Sequence, residues 1–184
     1  MQICVLFGGP HKHGNTAKLL AKVLDGAKSQ GHSVELFHLV DMDIRPCKGC
    51  MACKKPKANG CVQKDDMVKI YEPLRQCDLL ILASPMYWWN LAGPLKDAVD
   101  RFFALPFAAG REQSIFAGKK LMLVMTSGQA AEHDGREGLE LILQKMCQFT
   151  GMTWMGTVSA GTNDKSLDEQ PQVLEKAYAI GAGL

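Results

Sequence analysis

Four cysteines crowd one short stretch of this chain, in the order Cys47-Lys48-Gly49-Cys50-Met51-Ala52-Cys53, then seven residues, then Cys61. Thiolates so close in sequence can wrap one metal centre, and soft sulfur donors favour zinc or iron–sulfur clusters. The run Cys-x2-Cys-x2-Cys with a more distant fourth Cys is the compact spacing of four-iron clusters. Zinc more often takes two Cys pairs separated by a longer loop. Three readings therefore stand: a four-iron cluster, a zinc site, or reduced thiols that pack or guard against oxidation. Cys4, Cys77 and Cys147 read as small buried hydrophobes.

A second stretch could hold an anion. Gly8-Gly9-Pro10-His11-Lys12-His13-Gly14-Asn15-Thr16 closes an apolar run and leads straight into a helical pattern. Backbone N–H groups and the positive end of a helix can hold a phosphate there. Gly9 to Thr16 resembles a P-loop, but Asn15 stands where the Lys belongs, which argues against nucleoside triphosphate hydrolysis. The Gly-x-Gly-x-x-Gly dinucleotide pattern is also absent. A single terminal phosphate, as on FMN, needs only the N–H cradle with donors such as Asn15 and Thr16. His11, Lys12 and His13 either add positive charge or are simply solvated, and the whole loop also reads as a plain strand–helix turn.

Ser84-Pro85-Met86-Tyr87-Trp88-Trp89-Asn90 is the third stretch of interest. Large aromatic rings on a loop are costly to leave in water. They line a flat pocket, form a subunit contact, or fold back on the core. Thr126-Ser127-Gly128-Gln129 offers small residues and free N–H groups, suited to the edge of a heterocycle or to a turn.

These loops need a frame. Gln2–Phe7 is an apolar run closed by turn residues, and reads as a buried strand. Leu19, Leu20, Val23, Leu24 and Ala27 then repeat at helical spacing, and Gly31 stops that helix. Ser33–Leu39 is a second strand. Asp65-Asp66 marks the acidic N-terminus of a helix running to about Gln76. Leu79–Ser84 is a strand buried on both faces, and Leu91–Phe103 a helix. Lys120–Thr126 and Thr153–Ser159 are further strands, with helices over Arg136–Phe149 and Leu167–Ile180. The alternation predicts an α/β three-layer sandwich with a five-stranded parallel sheet in the flavodoxin-like order 2-1-3-4-5. Ligands of such sheets bind beyond the carboxyl ends of the strands, where the strand order reverses.

Composition narrows the function further. At 184 residues the chain is expected to form one domain over 1–184, with the Cys-rich loop at about 44–65. A formal net charge of +2 points to neither nucleic acid nor an anionic membrane. The first residues are too short and uncharged an apolar segment for a signal peptide, and Leu79–Ala83 cannot span a bilayer. An odd number of cysteines, seven, speaks against a disulfide framework, so a cytoplasmic location is expected. No Ser/His/Asp set or carboxylate pair is indicated, and no catalytic side chain is assigned.

Gly9-Pro10-His11-Lys12-His13-Gly14-Asn15-Thr16, Pro46 to Cys53, Asp65-Asp66-Met67 and Ser84-Pro85-Met86-Tyr87-Trp88 together resemble the flavodoxin-like NAD(P)H-dependent FMN reductases. Within them the chain is most similar to the iron–sulfur flavoproteins, closely over its first hundred residues or so and more loosely beyond Asp100-Arg101. The resemblance implies a non-covalent FMN whose phosphate lies in the first loop, at Gly9, His11, His13, Asn15 and Thr16. Its ring system would lie against Pro85, Met86, Tyr87 and Trp88, with Ser127 and Gly128 on another side. Family loops often begin Gly-Ser-Pro-Arg; Gly9 and His11 here remove a hydroxyl and a permanent charge. The resemblance also implies a four-iron centre on Cys47, Cys50, Cys53 and Cys61, although plain flavin reductases carry similar loops. Lys54, Lys55, Lys57 and Lys64 would offset its negative charge.

The expected activity follows from that cofactor set. NAD(P)H would supply electrons to FMN, and a quinone, free flavin or protein acceptor would take them up. A non-catalytic flavin or iron–sulfur electron carrier, or a redox sensor, is the alternative. A homodimer or homotetramer is expected, because a lone chain leaves a flavin and the loop aromatics poorly covered.

Overall fold

In the computed structural model, which describes residues 1–55, 58, 60–105, 114–130 and 133–184, the first apolar run forms the middle of the sheet. Strand β1 (Gln2–Phe7) is buried from Ile3 onward and pairs in parallel with β2 (Ser33–His38) and β3 (Leu79–Tyr87). Beyond β3 lie β5 (Lys120–Ser127) and β6 (Thr153–Gly161), both parallel. A two-residue strand, β4 (Asn90–Leu91), pairs antiparallel with the end of β3. The order is 2-1-3-5-6. With β4 set aside, this is the order expected for the five long strands.

Alternating side chains split the sheet between two cores. Ile3, Val5 and Phe7 face helix α1 (Asn15–Ser29) and helix α5 (Pro171–Ala182). Cys4 and Leu6 face α2 (Val68–Gln76), α3 (Gly93–Asp100) and α4 (Glu137–Thr150). Cys4, Cys77 and Cys147 are all buried in that second core. The three layers are those the sequence pattern requires. Among the described residues no helix is long and apolar enough to cross a membrane.

Helices α1 and α5 meet backbone to backbone. A Cβ on Gly26 would lie 2.1 Å from the Tyr178 carbonyl oxygen, and one on Gly181 would lie 2.0 Å from that of Val23. Only glycine permits so close an approach. Gly31, expected to stop α1, has φ of +76° and lies just beyond the helix end.

Element limits shift where backbone chemistry intervenes. The helix expected over 167–180 is two pieces, a short 3-10 turn at Leu167–Glu169 and then α5. Pro171 lacks an N–H and so begins a new helix rather than continuing one. The helix expected over 91–103 is α3 followed by a 3-10 turn, Arg101–Ala104. Strand β3 outruns its expected end at Ser84 because Met86 and Tyr87 pair with β4. Lys57 lies outside the described residues.

Candidate functional site

The loop after β1 runs into α1 through Gly14, an extended N-cap residue with no side-chain cap. The first N–H groups of an α-helix have no intrahelical acceptor, so the start of α1 keeps its donors for another partner. Gly9 is buried beneath this loop, where a Cβ would strike the Phe7 ring at 2.4 Å. The expected ligand side chains divide. His11 and His13 are exposed, and their side chains make no hydrogen bond among the described residues. Asn15 Oδ1 accepts from the Leu167 N–H at 3.2 Å. Thr16 is buried, with its hydroxyl 2.6 Å from that of Thr126 on β5. Asn15 and Thr16 therefore fasten the helix start to the protein, and their backbone N–H groups are what they present to the loop.

Below this loop sits a residue that sequence reading missed. His38, the last residue of β2, stacks on Phe7 with ring centroids 4.9 Å apart. Its Nε2 is 2.8 Å from the Gly9 carbonyl oxygen and its Nδ1 is 3.0 Å from Asp41 Oδ2. The Gly9 carbonyl can only accept, so Nε2 is the donor of that bond, and Asp41 fixes the ring from its other side. Lys12 Nζ lies 2.6 Å from the same Asp41 oxygen. Lys12, then His38, hold the Asp41 carboxyl below the usual carboxylate range. The signal was present in principle: strand order 2-1-3 places the ends of the first two strands side by side.

The aromatic segment is a hairpin tip. Tyr87 pairs with Asn90, leaving Trp88 and Trp89 as a two-residue turn with φ of 50° and 56°. A type I′ turn needs positive φ at both positions, where Asn-Gly is the usual choice. Trp88 is 91% exposed, and Trp89 meets it edge-on at 6.3 Å. With Met86, Ser127, Gly128, Gln129 and Asp134 they line a cavity of about 280 Å³. Thus Met86, Trp88, Ser127 and Gly128 come together as expected, whereas Pro85 and Tyr87 lie on the hairpin outside this lining.

On the cavity's polar side Ser127, Gly128 and Gln129 stand where an edge was expected, whereas Asp134 was not foreseen. Ser127 Oγ lies 2.9 Å from the Gln129 carbonyl oxygen and 3.2 Å from Asp134 Oδ2. Asp134 is buried and accepts from the Arg136 N–H at 3.0 Å and from its guanidinium at 3.2 Å. A Cβ on Gly128 would meet nothing within 4 Å, so the floor beside the tryptophans is open. An aromatic wall, an open glycine and a fixed polar edge suit a flat heterocycle.

The cysteine loop forms a separate centre. Cys47, Cys50, Cys53 and Cys61 are unbridged, and all four line one cavity of about 20 Å³ with Gln63, Arg101 and Phe103. Cys47 and Cys50 are exposed, and burial pushes the Cys53 thiol up. Met51, between them, has φ of 57°. Among the described residues no three His, Cys, Asp or Glu side chains are gathered as ligands of a single ion. The donors are of the right kind and share one cavity, so they fit a cluster. A cavity with room for about one water is smaller than a cube, however, so the exposed turn at 47–53 must move outward to admit one.

Behind this loop is a buried ion pair. Arg101 is 1% exposed and grips Asp65, 0% exposed, through Nη1–Oδ2 at 2.6 Å and Nη2–Oδ1 at 3.1 Å. Nη1 also donates to the Arg45 carbonyl at 2.7 Å. Burial pushes the Asp65 carboxyl up, but Arg101 and the Arg45 and Met67 N–H groups outweigh it and hold it below its usual range. Arg101 Nε, Tyr71 Oη and Gln63 Oε1 are buried and make no hydrogen bond of good geometry, although the Tyr71 hydroxyl lies near the Arg101 guanidinium. Burial pushes the Tyr71 hydroxyl up to about 12.

Comparison with known proteins accords with this geometry. A family model described as flavodoxin-like fold matches residues 1–181. An iron-sulfur flavoprotein of Archaeoglobus fulgidus is 38% identical over 101 residues, which is 55% of this chain and 48% of that protein. The chain thus spans about half the length of that relative. A Bacillus subtilis protein named as an NAD(P)H-dependent FMN-containing oxidoreductase is 32% identical over 164 residues, covering 86% of this chain and 83% of the relative. Among solved structures, an FMN-dependent NADH-azoreductase of Bacillus anthracis in complex with FMN superposes with a TM-score of 0.70 at 17% identity, covering 100% of this chain and 97% of that one. At that identity the likeness is one of fold.

Proposed function

The chain belongs to the flavodoxin-like fold family, and from that premise we propose that it is an NAD(P)H-dependent FMN oxidoreductase. Bound FMN would accept a hydride from the nicotinamide and pass electrons on to a quinone, a free flavin or a protein. One observation carries this reading. The uncapped start of α1 and the tryptophan-walled cavity lie at the same end of the sheet, coupled through the 2.6 Å Thr16–Thr126 contact.

Each part of the chain has a task in it. Backbone N–H groups from Gly9 to Thr16 hold the phosphate, with the helix end supplying positive potential. The His38 ring, hydrogen-bonded through Nε2 to the Gly9 carbonyl, keeps that carbonyl turned away from the anion. Trp88 and Met86 cover one side of the ring system, and Ser127 and Gly128 bound its edge. Pro85 and Tyr87 support the hairpin that carries Trp88. No side chain need donate or remove a proton in the hydride step, so the protein's contribution is position and electrostatics.

Cys47, Cys50, Cys53 and Cys61 are read as ligands of a four-iron cluster, which would couple the flavin to one-electron acceptors. The iron-sulfur flavoprotein relatives support this, as does the shared cavity. Seven unbridged cysteines suit a reducing compartment such as the cytoplasm. Exposed Trp88 and Trp89 suit burial in a homodimer or homotetramer. The deciding experiment is anaerobic purification with flavin, iron and sulfide analysis, followed by NAD(P)H oxidation with benzoquinone. FMN that NAD(P)H never bleaches would leave an electron carrier or sensor instead.

A further inference from the structure

The cysteine-lined cavity has a wall whose hydrogen bonding is incomplete. Arg101 lines it, whereas the carboxylate that pairs with Arg101, Asp65, does not. Asp65 lines a neighbouring cavity with Cys61 and Tyr71, so of the pair only Arg101 reaches the cavity that all four cysteines share. Buried guanidinium groups are expensive unless every N–H finds an acceptor. Here Nη1 and Nη2 are satisfied by Asp65 and the Arg45 carbonyl, yet Nε–H has none. Tyr71 Oη and Gln63 Oε1 are also orphaned, and Cys61 lines a cavity with each of them. Orphaned buried donors in a folded protein call for a partner.

Among the described residues no other buried positive charge lines the cavity. Lys48 lines it from the exposed loop, and Asp100 lines it while paired to Lys96 at 2.6 Å. Lys54 is committed to the Leu105 carbonyl at 3.2 Å and to the face of Phe103 at 4.5 Å. Four thiolates around iron carry net negative charge, and hydrogen bonds to the sulfurs and nearby charge set the potential of such a centre.

We propose that Arg101 is the positioning residue of the cysteine centre, its buried guanidinium offsetting the charge of the cluster and its free Nε–H donating to sulfur. This rests on the reading of Cys47, Cys50, Cys53 and Cys61 as ligands of a four-iron cluster. A buried cation beside the cluster favours the reduced, more negative state, so it raises the reduction potential. Asp65 holds the guanidinium in place from behind.

The test uses the full chain, reconstituted anaerobically with iron and sulfide and loaded with FMN. R101Q/D65N removes the pair without leaving either charge buried alone, and R101K keeps the charge but loses the planar Nε–H. Potentiometric titration followed by electron paramagnetic resonance should place the cluster of R101Q/D65N at lower potential than wild type, with R101K between them and FMN content equal in all three. An unchanged potential in a folded R101Q/D65N overturns the proposal while leaving the cluster in place. Wild-type protein that takes up neither iron nor sulfide overturns the cluster reading and this proposal with it. Should the double variant fail to fold, the wild type decides. Hyperfine spectroscopy of its reduced cluster, with arginine labelled with ¹⁵N, should show coupling to an arginine nitrogen, and its absence overturns the proposal.

Discussion

His38 holds Gly9 by a 2.8 Å hydrogen bond from Nε2 to the carbonyl oxygen, joining the end of β2 to the loop proposed to carry the FMN phosphate. Asp41 Oδ2, 3.0 Å from the other ring nitrogen, holds the ring in the orientation this bond needs. A hydrogen bond of this kind contributes about 0.5–1.5 kcal/mol. His38→Gln should therefore weaken FMN binding by roughly twofold to tenfold, read by quenching of flavin fluorescence. Asp41→Asn, at an exposed ion pair, should change it far less. Equal effects from both variants would remove His38 from the cradle.

Acid should act first through Asp65. Its carboxyl is held below the ordinary value of about 3.9, so its contribution to stability is complete above that value. The contribution is lost as pH falls through the depressed folded value. Asp65→Asn leaves Arg101 buried and unpaired, which costs about 3–5 kcal/mol at neutral pH. Urea midpoints measured between pH 7 and pH 3 should fall steeply for wild type at the acid end and start lower, with a flatter acid limb, for the variant.

Trp88 separates stability from binding. Its backbone is left-handed and its ring is almost wholly in solvent. Trp88→Gly removes a strain of about 1 kcal/mol and gives up little packing. Trp88→Ala removes the ring and keeps the strain. Thermal unfolding should show the glycine variant at least as stable as wild type and more stable than the alanine one. Titration with FMN should show both binding more weakly, by a similar factor.

Thr126→Val strips the Thr16 hydroxyl of its 2.6 Å partner inside the fold. A buried unsatisfied hydroxyl costs about 1–3 kcal/mol. The melting temperature should fall by a few degrees, and FMN affinity should fall with it because the first turn of α1 loses its tether to β5. Unchanged affinity in a destabilised variant would uncouple the two halves of the site.

What sequence could reveal was local, and what it missed was long-range. Apolar runs such as Ile3–Phe7 and Leu79–Ala83 announce strands, and the 3.6-residue rhythm of Leu19 to Ala27 announces a helix, because burial imposes those periods directly. Strand β4 is two residues long and its turn is Trp-Trp, so neither length nor turn chemistry marks it. Asp65 reads as an acidic residue at a helix start, and it does accept the Met67 N–H at 3.2 Å. Its main partner, Arg101, lies 36 residues away, beyond the reach of any local pattern. Asn15 and Thr16 were legible as members of the first loop, but not as anchors, since Leu167 and Thr126 reach them only after the sheet has formed.

Gly26 and Gly181 let α5 settle against α1 with no side chain between them. The far end of the chain thereby sets how deeply α1 seats, and α1 begins at the proposed phosphate loop. The closing helix would thus bear on the proposed cofactor loop although none of its residues lines the cavity walled by Trp88 and Trp89. A chain trimmed before Gly181, or given a bulkier residue there, should bind added FMN more weakly while its sheet, followed by circular dichroism, remains.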